Sequence, residues 1–283
     1  MSQKLRTLRP AHMRHFAQSL QDQELAPGTI EKYLRDVRAF AAWLNGRPVT
    51  RETAAAWKAH LCARRYAPVT ANSMLAALNS LFRFLGWEDC RVKALKIQRR
   101  LFRDESRDLS RAEYDRLLRT ARRLGQDRLA LVMETICSTG IRVSEVRYIT
   151  VEAVRRGRAD IALKGKIRTI LLPGKLCRKL LQYAREQKTA SGAIFRTRSG
   201  SPLNRRQIWA AMKRLCEQAG VASSKVFPHN LRHLFAATFY RVNKDLTQLA
   251  DLLGHSSIET TRIYLVSSGA EHSRQLERLG LIL

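Results

Sequence analysis

Between Phe227 and Tyr264 the chain reads FPHNLRHLFAATFYRVNKDLTQLADLLGHSSIETTRIY, and the polar residues of this stretch limit how it can fold. His229, Arg232 and His233 stand three and four apart, the spacing that makes residues neighbours on one helical face. Such a face would point an imidazole and a guanidinium together into one site. A second helix, about Leu246 to Leu253, is predicted to end at Gly254, a residue suited to the left-handed stop of a helix. His255 then lies in a turn rather than in a core. Tyr264 follows nine residues later, closing a short segment that starts after Ser256 and Ser257.

Two histidines four residues apart also suggest a metal site. The sequence argues against one: HNLRH has Asn230 where the H-E-x-x-H motif needs its glutamate base. Arg232 between the histidines would also repel a dication. No metal and no cofactor are expected. Taken singly, an H-x-x-R pair on a helix or a lone tyrosine is ordinary surface or packing. Taken in order, H-x-x-R, then L-G-H, then Tyr264 resemble the catalytic box of the tyrosine recombinase (phage-integrase) family.

That family needs a further arginine and a lysine upstream, and candidates for both are present. Residues 139–146 read TGIRVSEV. Gly140 should end one helix, and Arg142 should open the next with Glu145 three residues on. G-I-R-x-x-E is how the family presents its first catalytic arginine, and Glu145 matches the usual acidic companion. Next, Ala159 to Leu163 and Arg168 to Leu172 read as two strands around the turn Lys164-Gly165-Lys166. The family carries its catalytic lysine on such a hairpin. Its pattern is about a residue longer, so the position stays open between Lys164, which precedes the glycine, and Lys166. A third short strand, Ala193 to Phe195, is expected to complete the sheet. The helix from Arg205 to Ala219 leads back to the box.

Composition enters through charge. With 52 Lys and Arg against 24 Asp and Glu, the net charge is +28. Residues 1–108 hold 20 basic and 10 acidic side chains, a net +10, which leaves +18 for the remainder. Both halves are basic, so the chain is not a globular domain with a basic arm. A polyanion is the natural partner, either nucleic acid or an anionic membrane surface. No apolar run approaches the ~20 residues of a membrane span, and MSQKLRTLRP lacks a signal peptide's apolar core. The expected location is cytoplasmic, on the nucleoid. Cys62, Cys90, Cys137, Cys177 and Cys216 form no C-x-x-C pair and are odd in number, so they read as reduced core residues.

The N-terminal part reads as four helices: about Ala11 to Leu20; one behind Thr29 as N-cap; Ala54 to Arg64; and one through Met74, Leu78 and Leu85. In the second, Ile30, Tyr33, Leu34, Val37, Phe40, Ala41 and Leu44 recur at helical spacing. The polar faces carry Lys32, Arg35, Arg38, Lys58, Arg64, Arg65 and Arg83, which would meet phosphates if the bundle lies on DNA or else remain a solvated basic face. From Trp87 to Asp108 the periodicity lapses, and Arg91, Lys93, Lys96, Arg99, Arg100 and Arg103 crowd a predicted basic linker. Ser110 to Glu113 then forms a capping box, followed by a helix to about Arg123 and another from Asp127 to Ser138.

The fold class expected is therefore mainly α with a small antiparallel sheet. A four-helix, SAM-like core-binding domain (1–90) and a linker (91–108) precede an α+β catalytic domain (109–283). The resemblance spans essentially the whole chain and is Xer-like in plan, without room for an arm-binding domain. It implies Tyr264 as nucleophile, Arg142 and Arg232 on the phosphate, and a hairpin lysine as general acid. His229 would bond the phosphate or take the tyrosine proton, His255 would orient the phosphate or Tyr264, and Glu145 would support. Of the basic residues, Lys32, Arg35, Arg64, Arg65, Arg83, Arg99 and Arg100 are the expected DNA contacts. The implied activity is site-specific recombination of double-stranded DNA through a 3′-phosphotyrosyl bond. It would proceed in a tetramer whose C-terminal tails dock between subunits. Type IB topoisomerase chemistry and a non-catalytic DNA-binding module are the alternatives. Mobile-element integration or excision and chromosome dimer resolution are both open.

Overall fold

The computed structural model describes residues 6–97, 105–163, 166–255, 257–262 and 277–279. The chain divides into two compact units, Met1–Arg99 and Arg100–Leu283.

The first unit is a bundle of four helices, α1 (Pro10–Asp22), α2 (Pro27–Leu44), α3 (Arg51–Ala63) and α4 (Pro68–Phe84). Pro27 and Pro68 each take the first helical position. There the missing N–H costs nothing and the fixed φ is already helical. Thr29 is consequently not the cap of α2: the helix starts two residues earlier, behind Ala26, and the Thr29 N–H donates to the Ala26 carbonyl at 2.7 Å. In α3 the cap is Thr50, whose hydroxyl accepts the Thr53 N–H at 3.2 Å, so that helix begins three residues before the predicted Ala54. Phe16, Leu20, Val37, Phe40, Leu61, Leu78, Leu81 and Phe82 fill the core. Phe40 meets Phe82 edge-on, with ring centroids 6.1 Å apart.

Part of the predicted linker is held against this bundle. Asn72 and Asn79 lie two turns apart on α4, and each treats one residue of the following chain as a strand edge. Asn79 accepts the Val92 N–H at 3.0 Å and donates to the Val92 carbonyl at 2.8 Å. Asn72 does the same for Leu95 at 2.7 and 2.9 Å. Lys58 adds a bond to the Lys93 carbonyl. Arg99 and Arg100 lie outside the described residues.

The second unit comprises α5 (Arg111–Arg123), α6 (Asp127–Thr139), α7 (Val151–Arg155), β1 (Arg158–Leu163), β2 (Lys166–Leu171), α8 (Gly174–Glu186), α9 (Arg205–Gln218), α10 (Pro228–Asn243), α11 (Leu246–Leu253) and α12 (Ile258–Arg262). The capping box is formed: Ser110 accepts the Glu113 N–H at 3.2 Å, and Glu113 accepts the Ser110 N–H at 2.8 Å. The two strands are antiparallel, with Ile161 opposite Arg168 and Leu163 opposite Lys166. The predicted third strand is not formed. Ala193 makes only an isolated bridge to Thr150, while Ile194 and Phe195 turn into the core. Three residues with two buried side chains in succession do not alternate as a half-buried strand must. That core is centred on α6, packed by Leu117, Met133, Ile136, Ile161, Leu180, Met212 and Leu231. A smaller cluster of Ala236, Leu249 and Leu253 joins α10 to α11.

Candidate active site

The site lies where two helices end against the side of a third. Gly140 stops α6 at φ 67° and Gly254 stops α11 at φ 62°, both in the left-handed region glycine tolerates. Each stop strands carbonyl oxygens that no longer have an intrahelical donor. Arg232, on α10 and only 3% exposed, supplies the donors. Its Nη1 bonds the Gly140 carbonyl at 2.6 Å and its Nη2 the Leu253 carbonyl at 2.9 Å. Carbonyls at a helix C-terminus carry the negative end of the helix dipole. The buried guanidinium is thus held by oriented dipoles.

His255 follows the Gly254 stop and turns back onto the same arginine. Arg232 Nη2 and His255 Nε2 are 2.8 Å apart, and His255 Nδ1 is 2.8 Å from the hydroxyl of buried Thr261. A guanidinium only donates, so Nε2 is the acceptor and the ring proton sits on Nδ1, donated to Thr261. Burial, and then the positive charges of Arg232, Arg142, Arg168 and His229, push the imidazole down to about 4. His255 is neutral at physiological pH.

Arg142 stands just before a short 3₁₀ turn, Val143–Tyr148. Glu145, with a side chain 3% exposed, accepts three hydrogen bonds. They come from the Arg142 backbone N–H at 2.7 Å, from Arg142 Nη1 at 3.0 Å and from Arg168 Nη2 at 2.8 Å. Arg168 also donates through Nη1 to the Leu253 carbonyl. Its burial, outweighing the attraction of Glu145, lowers the guanidinium to about 10, so it stays charged at neutral pH. Two guanidinium groups, Arg142 and Arg168, therefore share one carboxylate, and Arg168 shares the Leu253 carbonyl with Arg232.

Of the residues the sequence singled out, Arg142, Glu145, Arg232 and His255 converge. His229 is exposed in the first turn of α10, near enough for its charge to act on His255. The expected shared face of α10 is split: Arg232 and His233 are buried while His229 is not. Lys164 and Tyr264 lie outside the described residues, as does the side chain of Lys166, whose backbone opens β2.

Residues 107–271 match the phage integrase family, and residues 13–89 match the phage integrase N-terminal SAM-like domain. The chain belongs to the phage integrase family. It is 31% identical to tyrosine recombinase XerC of Roseiflexus castenholzii, covering 90% of this chain and 87% of that one. It is 31% identical to XerA of Thermococcus kodakarensis, with 89% of each covered. Among solved structures, a lambda integrase tetramer bound to a Holliday junction superposes with a TM-score of 0.75 at 18% identity, covering 93% of this chain and 78% of that chain. This tyrosine recombinase is a site-specific recombinase, of a family that cuts and rejoins DNA through a tyrosine without a metal.

Two residues of the candidate site were not anticipated, Arg168 and Thr261. For Arg168 a signal existed. In the alternation of β2 it shares a face with Ile170, which is buried, and a charged residue on the inner face of a strand needs a partner. Thr261 carries no comparable mark. In the N-terminal unit, Lys32 and Arg35 both bond buried Asp36, each at 3.0 Å, while Arg64, Arg65 and Arg83 are exposed. No described helix is long and apolar enough to cross a membrane.

Proposed function

We propose that the cluster of Arg142, Arg232, His229 and His255 binds the scissile phosphate of double-stranded DNA, and that Tyr264 attacks it. The observation that carries this reading is that Arg142, Arg168 and Arg232 are gathered around a single carboxylate among the described residues, Glu145, which bonds only two of them, Arg142 and Arg168. Such a site keeps an excess of positive charge in a partly buried setting, where it favours a phosphoryl group strongly. The Tyr264 oxygen gives its proton to His229 and forms a bond to phosphorus as the bond to the 5′-oxygen breaks. The hairpin lysine, Lys164 in preference to Lys166, gives the leaving oxygen its proton. Arg142 and Arg232 hydrogen-bond the non-bridging oxygens. A phosphate oxygen would compete with His255 Nε2 for the Arg232 Nη2 proton. The 3′-phosphotyrosyl bond conserves the energy of the phosphodiester, so a 5′-hydroxyl from another strand reverses it without ATP.

Likeness to XerC and XerA along nearly the whole chain favours chromosome dimer resolution over mobile-element integration as the biological role. A four-subunit complex on two duplexes would carry it out. Within it, Arg64, Arg65, Arg83, Arg99 and Arg100 would meet DNA phosphates. Lys32 and Arg35 would do so while also neutralising Asp36. The tail ending in Leu281-Ile282-Leu283 would dock in a neighbouring subunit, a reading supported by the exposure of Leu279. A contact of that head-to-tail kind closes into a ring.

The test is a nicked suicide substrate in EDTA. Wild-type protein should form a covalent protein–DNA product, and Tyr264→Phe should bind the site but form none. A persistent adduct in that variant would assign the nucleophile elsewhere, with Tyr240 on α10 the nearest candidate. Deleting residues 276–283 should spare single-site binding and weaken synapsis; a truncated chain that unfolds in isolation refutes the docking role.

A further inference from the structure

Arg168 touches both halves of the phosphate site without belonging to either. It sits on β2, opposite Ile161, and its side chain is 15% exposed. One arm, Nη2, holds Glu145 Oε2, the same oxygen that accepts the Arg142 backbone N–H. The other arm, Nη1, holds the Leu253 carbonyl, the same oxygen that accepts Arg232 Nη2. The remaining nitrogen, Nε, is buried and has no hydrogen-bond partner among the described residues. A Cβ added to Gly254 would run into the Arg168 side chain. The glycine therefore does more than end α11: it admits this guanidinium to the carbonyl.

We propose that Arg168 is a positioning residue for strand cleavage, clamping Glu145 and the Leu253 carbonyl so that Arg142 and Arg232 are aimed together at one phosphate. A hydrophobic residue at this inward position would pack against Ile161 and Ile170 at no desolvation cost. The guanidinium is instead kept charged in a setting that burial makes unfavourable, pulling it down to about 10. That expense is explained if the charge orders two acceptors which themselves order the phosphate-binding arginines. The fork geometry matters, because a lysine is a point charge and cannot span two acceptors in a fixed plane. The inference rests on the phosphate-site reading above.

The experiment uses full-length protein carrying Arg168→Lys or Arg168→Met, with Arg142→Ala as reference. Single-turnover cleavage of a suicide substrate at saturating protein is compared with equilibrium binding to the same DNA and with the denaturation midpoint. Binding should change less than about threefold. Cleavage should fall about 10²-fold in Arg168→Met, the scale of a 1 Å misplacement, and about tenfold in Arg168→Lys. The deciding readout is a scissile methylphosphonate, whose neutral linkage needs less guanidinium compensation. On it the defects of Arg168→Met and of Arg142→Ala should both shrink at least tenfold. A defect in the Arg168 variants that is equal on phosphate and methylphosphonate shows general loss of structure and overturns the proposal. So does full rescue by a 5′-phosphorothiolate, which would shift the role to the hairpin lysine. If Arg168→Met does not fold, Arg168→Lys decides alone, and wild-type cleavage in it refutes the clamp. Normal cleavage by Arg142→Ala would sink the site reading itself. Normal cleavage by the Arg168 variants beside an inert Arg142→Ala would sink only this inference.

Discussion

Replacing Glu145 by glutamine removes one charge and almost no volume, so its effect isolates the electrostatics of the site. In the wild type the carboxylate accepts at both oxygens: Oε2 from the Arg142 N–H and Arg168 Nη2, and Oε1 from Arg142 Nη1. A glutamine can keep its amide oxygen at the Oε2 position and save two bonds. Its NH₂ group then faces Arg142 Nη1 across 3.0 Å, donor against donor. Breaking a buried ion pair costs roughly 3–5 kcal/mol. The Arg142 side chain is 43% exposed, so that arm is screened and worth less, and the loss is dominated by Arg168, whose side chain is only 15% exposed. We expect Glu145→Gln to destabilise the protein by roughly 2–4 kcal/mol. The shift should appear as a lower urea midpoint at unchanged slope. Glu134 provides the comparison, since it also bonds two cations, Arg122 and Lys179, but both are well exposed. Glu134→Gln should cost less than about 1 kcal/mol. The double variant Glu145→Gln/Arg168→Met removes the stranded charge and should recover stability but not cleavage. If Glu145→Gln proves no more costly than Glu134→Gln, the carboxylate is not what holds the arginines.

Two other perturbations test the frame of the site. Gly140→Ala places a Cβ 2.5 Å from the Phe235 ring at φ 67°, whereas Gly220, at φ 60°, has open space around it; Gly140→Ala should therefore cost roughly 1–3 kcal/mol more than Gly220→Ala in denaturation. His255 is held near 4 when folded and returns to about 6.5 when unfolded, so the unfolded chain binds the extra proton between those values and stability should fall as pH drops through that window. His255→Gln should flatten this part of the profile, and an unchanged profile would show that the imidazole is not held neutral.

Much of this was legible because short local rules governed it. Ser110 and Glu113 form a reciprocal cap from residues three apart, and Gly140 and Gly254 stop helices where a left-handed residue was needed. Arg142 and Glu145 are linked across one turn. Where the prediction missed, a neighbour in space or a competing local rule decided. Thr29 read as a cap until the stronger preference of Pro27 for the first helical position won. Ile194 and Phe195 looked like a strand by composition, but the core claims both side chains. Asn72 and Asn79 gave no sign that they would capture Val92 and Leu95, since an asparagine in a helix carries no record of a chain segment 13 or 23 residues on. Arg168 was missed for a related reason. Its partners come from a 3₁₀ turn and a helix end that only the tertiary fold brings to β2.

The short helix α11 has a consequence of its own. At eight residues it is too brief to hold itself together in water. It is kept by the Asp245 cap, by the burial of Leu249 and Leu253, and by the two guanidiniums on its last carbonyl. One of those guanidiniums, Arg232, is a cation that the proposed phosphate would compete for. Reciprocity between linked equilibria then requires that whatever draws Arg232 toward an anion loosens the end of α11 by the same free energy. The chain leaving that end runs through His255 to α12 and on to Tyr264. On the proposed reading, in which Arg232 binds the scissile phosphate, anion occupancy and the firmness of the last turn of α11 would be two readings of a single equilibrium.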